Sequence, residues 1–295
     1  MTAPSISALA VPARATVRRP VPDIQGWWVV TRHQLLHFLR SGRFQGLLAF
    51  VFAISALTLL FEVSAGVAAV RVEQLYHPSE YLSNFLGYTA SWSILAAAFF
   101  GGDALSVDFS TGAGYYMLVL PIRRPVLLAG RYTAAALVTF ALVGVSYAFA
   151  VGGAVYFFGD AYPIPWVGVA ESFGVAAVFT LAALSFAFCV SAFLRSPVAG
   201  VLVTLLILWV GFLVLATALQ LVGLEPWWSL PYAGGSIAAV LDTDFRHAIQ
   251  VPLYANQYYT LWTATVHEGL AIAGGYIVAF LPLSAYLYQR KESTG

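Results

Sequence analysis

The chain has 295 residues, of which 60% are hydrophobic and only 9% charged, with a formal net charge of +1. A water-soluble domain carries about 25% charged residues because its exterior has to be polar, so the composition excludes a soluble enzyme and describes an integral membrane protein. The one cysteine, Cys189, lies inside an apolar run, so no intramolecular disulfide and no cysteine metal cluster is possible.

Residues 1–25 are rich in Ala, Pro and Arg and hold no apolar stretch of the length a secretory signal needs, which predicts a disordered cytoplasmic tail. Over residues 26–44 the pattern turns helical. At about 100° per residue, Trp27, Trp28, Leu35, Phe38 and Leu39 fall on one side and His33, Gln34, His37, Arg40 and Ser41 on the other. Such an amphipathic helix should lie flat at the membrane interface.

Six apolar runs follow, at 46–69, 84–106, 127–158, 166–194, 198–222 and 263–288. Each has the length that a hydrocarbon core of about 30 Å requires of a helix. Two stretches, 132–159 and 196–224, contain no charge at all. The expected architecture is therefore an all-α integral membrane fold: an interfacial helix, a six-span transmembrane domain over 45–290, and a short cytoplasmic tail at 291–295.

Six spans put both termini on one side. With that side inside, the cytoplasmic set is Arg14, Arg18, Arg19, Arg32, Arg40, Arg43, Arg123, Arg124, Arg131, Arg195, Arg290 and Lys291, against Arg71 and Arg246 outside. The positive-inside rule is satisfied, and dropping a span would scatter these residues over both faces. Sparse lysine with abundant Ala, Arg and Gly suits a high-GC prokaryotic genome, hence a prokaryotic plasma membrane.

Two segments are not accounted for by spanning. The cytoplasmic link 103–126 mixes acidic, Gly, Tyr and Arg residues; it turns at Gly112 and Gly114 and predicts a short apolar helix over Tyr115–Leu120 that Pro121 stops. Arg123 and Arg124 then stand where the third span enters the inner leaflet. The external segment 223–262 carries Trp227, Trp228, Tyr232, Tyr254, Tyr258, Tyr259 and Trp262. That aromatic density suits the headgroup layer and predicts short helices dipping into the outer leaflet as a lip over the bundle.

Three glutamates, Glu62, Glu171 and Glu268, fall inside spans, all toward the outer end. Each costs about 2.5–3.5 kcal/mol at a helix centre, so each needs water, a partner or a proton. They read either as hydrated groups at the external interface or as an acidic ring near an outer gate.

Enzymatic readings find little. His267 and Glu268 begin like a zinc-protease helix, but Gly269, Leu270 and Ala271 follow and the second histidine is missing. His33 and His37 have helical i, i+4 spacing, yet no third ligand is evident and both fit the polar face of the interfacial helix, so no metal site is expected. No Gly-x-Ser-x-Gly elbow is present. The only lysine is Lys291, which excludes a phosphate-binding Gly-x-x-x-x-Gly-Lys loop; any ATP-driven work must come from another polypeptide.

The link resembles that of the ABC-2 type permease family, the membrane subunits of ATP-driven exporters. There it reads roughly Asp, Ser, Glu-Arg-Glu-x-Gly-Thr, a Leu-rich stretch, Pro-Ile/Val-Ser-Arg and Gly-Lys. Here Asp103, Ser106, Asp108, Gly112, Leu118, Pro121, Ile122, Arg124, Gly130 and Arg131 stand in register, while Phe109 and Ser110 replace the charged pair and Ala113 the threonine. The resemblance extends to the layout of interfacial helix, six spans and long external segment before the last. It implies a permease that binds no cofactor itself and pairs with a second permease copy or paralogue. It also implies docking on cytoplasmic ATPase subunits, which hold the ATP and Mg, through Asp103, Asp108, Gly112, Tyr115, Leu118, Pro121, Arg123 and Arg124. Many relatives move apolar or amphiphilic molecules, which fits a pathway without midplane charge. A stand-alone secondary transporter or channel is the competing expectation; an internal inverted repeat would favour it, and none is visible.

Overall fold

The computed structural model describes residues 22–72, 77–110, 123–159, 161–252 and 258–292. Six of its helices are long and apolar enough to cross a membrane, and the chain is a multi-pass α-helical membrane protein.

Helix α1 (Asp23–Arg40) starts with Asp23 in its first turn, so residues 23–25 belong to the helix and not to the preceding tail. It ends at Ser41. There the serine N–H and hydroxyl both donate to the Phe38 carbonyl (2.9 and 2.7 Å), while the hydroxyl oxygen accepts from the Phe44 N–H at 3.2 Å. One side chain thus closes α1 and opens α2 (Gly42–Val72), where the sequence predicts a single helix to residue 44.

The second span is broken into α3 (Pro78–Leu86), α4 (Thr89–Gly101) and α5 (Ser106–Ser110), and it begins six residues before the expected start at 84. The break before α5 leaves backbone donors without helical partners. The Ser191 hydroxyl on a neighbouring span takes two of them, from Leu105 N at 3.0 Å and Ser106 N at 3.1 Å. Spans three and four are the unbroken α6 (Arg124–Phe158) and α7 (Trp166–Phe193). The fifth comprises α8 (Pro197–Leu205), a π-helical segment (Leu206–Gly211) and α9 (Phe212–Leu221). After two short helices, α10 (Leu230–Gly234) and α11 (Ser236–Ala239), come strands β1 (Ala248–Pro252) and β2 (Tyr258–Trp262), then α12 (Val266–Glu292).

Where short helices are expected throughout 223–262, the second half of that segment is an antiparallel hairpin, with Ala248 opposite Trp262 and Pro252 opposite Tyr258. Its residues explain why: Ile249 and Val251 on one strand and Tyr258, Tyr259, Thr260 and Trp262 on the other are β-branched or aromatic, a composition that suits a pleated surface better than a helix.

Spans two, three and four form the packed centre. Of their apolar windows 67%, 56% and 67% is buried, against 17%, 17% and 11% for spans one, five and six, whose outer faces remain open to lipid or a partner. The centre is knit by small residues and internal hydroxyls, the means by which helices associate without a hydrophobic drive between them. A Cβ on Gly200 would overlap the Gly102 carbonyl oxygen, so spans two and five touch backbone to backbone. Thr180 donates to Ser93 at 3.0 Å, and Ser172 bonds both the Tyr147 hydroxyl and the Ile237 carbonyl at 2.8 Å.

Candidate functional site

The arginine-rich end of the bundle gathers charges from three spans and a hydroxyl from a fourth. Asp103, in the turn between α4 and α5, is 5% exposed and forms an ion pair with Arg43 in the first turn of α2. Asp108, in α5, is 3% exposed and is held bidentately by Arg131 of α6, at 2.6 Å (Nη1–Oδ2) and 2.9 Å (Nη2–Oδ1). Arg131 Nη1 also donates to the Ala104 carbonyl at 2.8 Å, and the Tyr288 hydroxyl of α12 donates to Asp108 Oδ2 at 3.0 Å. Paired, charge-assisted bonds of this kind are what permit two ions to sit at membrane depth. The link that follows α5 is therefore fastened at its start to α2, α6 and α12.

Its far end is fastened more loosely. Arg123 reaches Asp23 at 3.2 Å, both exposed, and Arg124 Nη1 approaches the Gln289 carbonyl at 3.5 Å. Gly112, Tyr115, Leu118 and Pro121, together with the predicted helix Tyr115–Leu120, lie outside the described residues.

Helix α1 lies along the start of α6. The Thr31 hydroxyl bonds the Trp27 carbonyl at 2.8 Å and the Gly130 carbonyl at 3.3 Å, and the Trp27 indole N–H donates to Thr133 at 3.3 Å. A side chain at Gly130 would collide with Val30, which is why glycine stands there. Of the expected apolar face, Trp27, Leu35 and Phe38 pack inward while Trp28 and Leu39 stay exposed. His33, Gln34 and His37, expected on the polar face, line a cavity of about 400 Å³ whose opposite wall is Asp103, Asp108 and Arg131.

At the opposite end the three membrane glutamates have separate surroundings. Glu62 accepts from the Tyr81 hydroxyl at 2.6 Å. Glu171 is exposed. Glu268 accepts from Thr265 N at 2.9 Å, in the reciprocal pattern of a helix start, and stands beside His247. Between the hairpin and the C-terminal half of span five runs a groove of about 570 Å³, lined by Leu213, Ala216, Thr217 and Gln220 on one side and Tyr232, Leu261 and Trp262 on the other. Burial and the adjacent Glu225 carboxylate, to which it donates, keep the Tyr232 phenol far above the usual tyrosine range, so it serves as a neutral donor.

Sequence reasoning singled out Asp103, Asp108, Arg123 and Arg124 but not the partners Arg43 and Tyr288, nor the Glu225–His247 pair. A usable signal existed for the first: two aspartates at a break in an apolar span require cations at the same depth, and Arg131 is the one arginine inside an expected span, with Arg43 three residues before another. No family model matches this chain, and no curated protein matches it. The likeness to ABC-2 permeases accordingly rests on the link residues and the layout of the spans.

Proposed function

We propose that the chain is the membrane permease subunit of an ATP-driven ABC exporter of the ABC-2 type, working with a second permease copy or paralogue and with cytoplasmic ATPase subunits that bind and hydrolyse ATP. The observation that carries this reading is the double fastening of the 103–131 region. A push on the link would reach α2 through Asp103–Arg43, α6 through Asp108–Arg131 and α12 through Asp108–Tyr288. Helix α1, bonded to the start of α6, offers a second lever on the same span. Closure of the ATPases would then move spans one, three and six as a set, the kind of rigid-body shift that alternates access. The apolar groove under the hairpin supports an apolar or amphiphilic cargo leaving at the outer end.

In this scheme the arginine-rich end faces the cytoplasm, in accord with the positive-inside count. Asp103 and Asp108 act from behind the link, through Arg43 and Arg131, while the docking surface itself belongs to residues of the link such as Tyr115 and Leu118.

The test is purification of the tagged chain from its native membranes. A co-purifying soluble ATPase, with ATP hydrolysis in the preparation that falls when Asp108→Asn is introduced, supports the proposal. Transport in liposomes driven by an ion gradient without ATP would overturn it in favour of a stand-alone carrier. So would labelling of Tyr115→Cys from outside intact cells, since Cys189 is buried and the introduced thiol would be the reactive one.

A further inference from the structure

We propose that Glu225, His247 and Glu268 form a divalent-cation site of the zinc type that clamps the hairpin to the outer ends of spans five and six. The three side chains come from separate places: the loop after α9, the residue before β1 and the first turn of α12. One ligand atom from each lies within 4.8 Å of the other two.

The imidazole is already set for a metal. His247 Nδ1 stands 2.9 Å from the Thr263 carbonyl oxygen, which can only accept, so Nδ1 holds the proton and Nε2 turns a lone pair outward. The Thr263 N–H returns a bond to the His247 carbonyl at 2.9 Å, extending the ladder by one pair and fixing the backbone of both. The Trp262 ring meets the imidazole edge-on, with centroids 5.2 Å apart. Nε2 is 3.7 Å from Glu225 Oε1. A tetrahedral ion with ligands at about 2.1 Å holds them about 3.4 Å apart, so this pair is within a few tenths of an ångström of a coordinating separation.

Both carboxylates are oriented from behind. Tyr232 donates to Glu225, and the helix-start N–H of Thr265 holds Glu268 Oε2 at 2.9 Å, with His247 Nδ1 3.7 Å from the same oxygen. Outer-shell bonds of this sort are the usual support of a metal ligand. The three side chains are 29–43% exposed, so an ion can enter from the aqueous side and keep water at its remaining position. One imidazole nitrogen with two carboxylates suits zinc; calcium and magnesium prefer all-oxygen shells.

The proposal does not depend on ATP as the power source, and its test uses binding alone. Full-length chain carrying a histidine-free tag is purified in detergent, stripped with a chelator and titrated with zinc by calorimetry. The expected result is one zinc per chain at micromolar affinity, weakened at least about tenfold in His247→Gln and in Glu225→Gln, and unchanged in the His33→Gln/His37→Gln double variant. Absence of saturable binding, or binding that follows His33 and His37 instead, overturns it. Should His247→Gln fail to fold, cobalt(II) added to the unsubstituted chain decides: intense visible bands of a low-coordinate ion support the site, and the spectrum of hydrated cobalt refutes it.

Discussion

The two ends of the bundle hold their acids in opposite ways. At the arginine-rich end Asp103 and Asp108 are almost wholly buried, and Asp108 spends both oxygens on Arg131 and Tyr288. At the other end Glu225, His247 and Glu268 are open to water and separated by gaps that water or an ion can fill. A buried, fully paired charge fixes geometry, because loosening it strands an ion in a poor dielectric; a half-exposed one leaves geometry adjustable. The first arrangement suits the holding of helices in register and the second suits the capture of an ion from the surrounding water.

Breaking the buried pair should have the largest effect. Arg131→Met is expected to cost about 3–5 kcal/mol, read as a fall in the melting point of the purified chain, because Asp108 would be left charged without its principal partner. Adding Asp108→Leu should restore much of it; a double variant as unstable as the single one would show that packing around Arg131, and not the ion pair, is what matters. Next in size, Gly200→Ala is expected to destabilise by about 1–3 kcal/mol by forcing spans two and five apart beside Asp103. The control is Gly46→Ala, where an added Cβ meets nothing within 4 Å and stability should hold.

Smaller effects sharpen the contrast. Thr31→Val removes the hydroxyl that joins α1 to the Gly130 carbonyl and should cost about 1 kcal/mol. It should also raise the susceptibility of α1 to limited proteolysis. Without added metal, Glu225→Gln should change the melting point by less than Thr31→Val does, since its amide oxygen can still accept from Tyr232. The exposed Asp23–Arg123 pair comes last: Asp23→Asn is expected to cost less than about 1 kcal/mol, and less still as salt is raised.

The spans were legible because a bilayer sets their length. The run expected at 166–194 is the helix Trp166–Phe193, and that at 198–222 is Pro197–Leu221. The partners within the site were not, since pairing depends on which helices touch: Arg43 and Asp103 are 60 residues apart, and Tyr288 and Asp108 are 180 apart. The break at Ser41 is a local event that an amphipathic pattern spanning residues 26–44 overrides, although a serine beside a glycine is a stop signal in its own right. The hairpin was missed for another reason. Tyr and Trp report an interfacial depth irrespective of backbone form, and they drew attention away from the β-branched residues between them.

Span five carries one feature with mechanical meaning. The π-helical stretch Leu206–Gly211 holds a surplus residue in its turn. Were that residue drawn into regular α-helix, everything beyond it would swivel about the axis by about 100°. Leu213, Ala216, Thr217 and Gln220, which share one face, would leave the groove together and four other side chains would take their place. The lining of that groove can thus be exchanged by a twist of a single helix, with no hydrogen-bonded turn lost along the way.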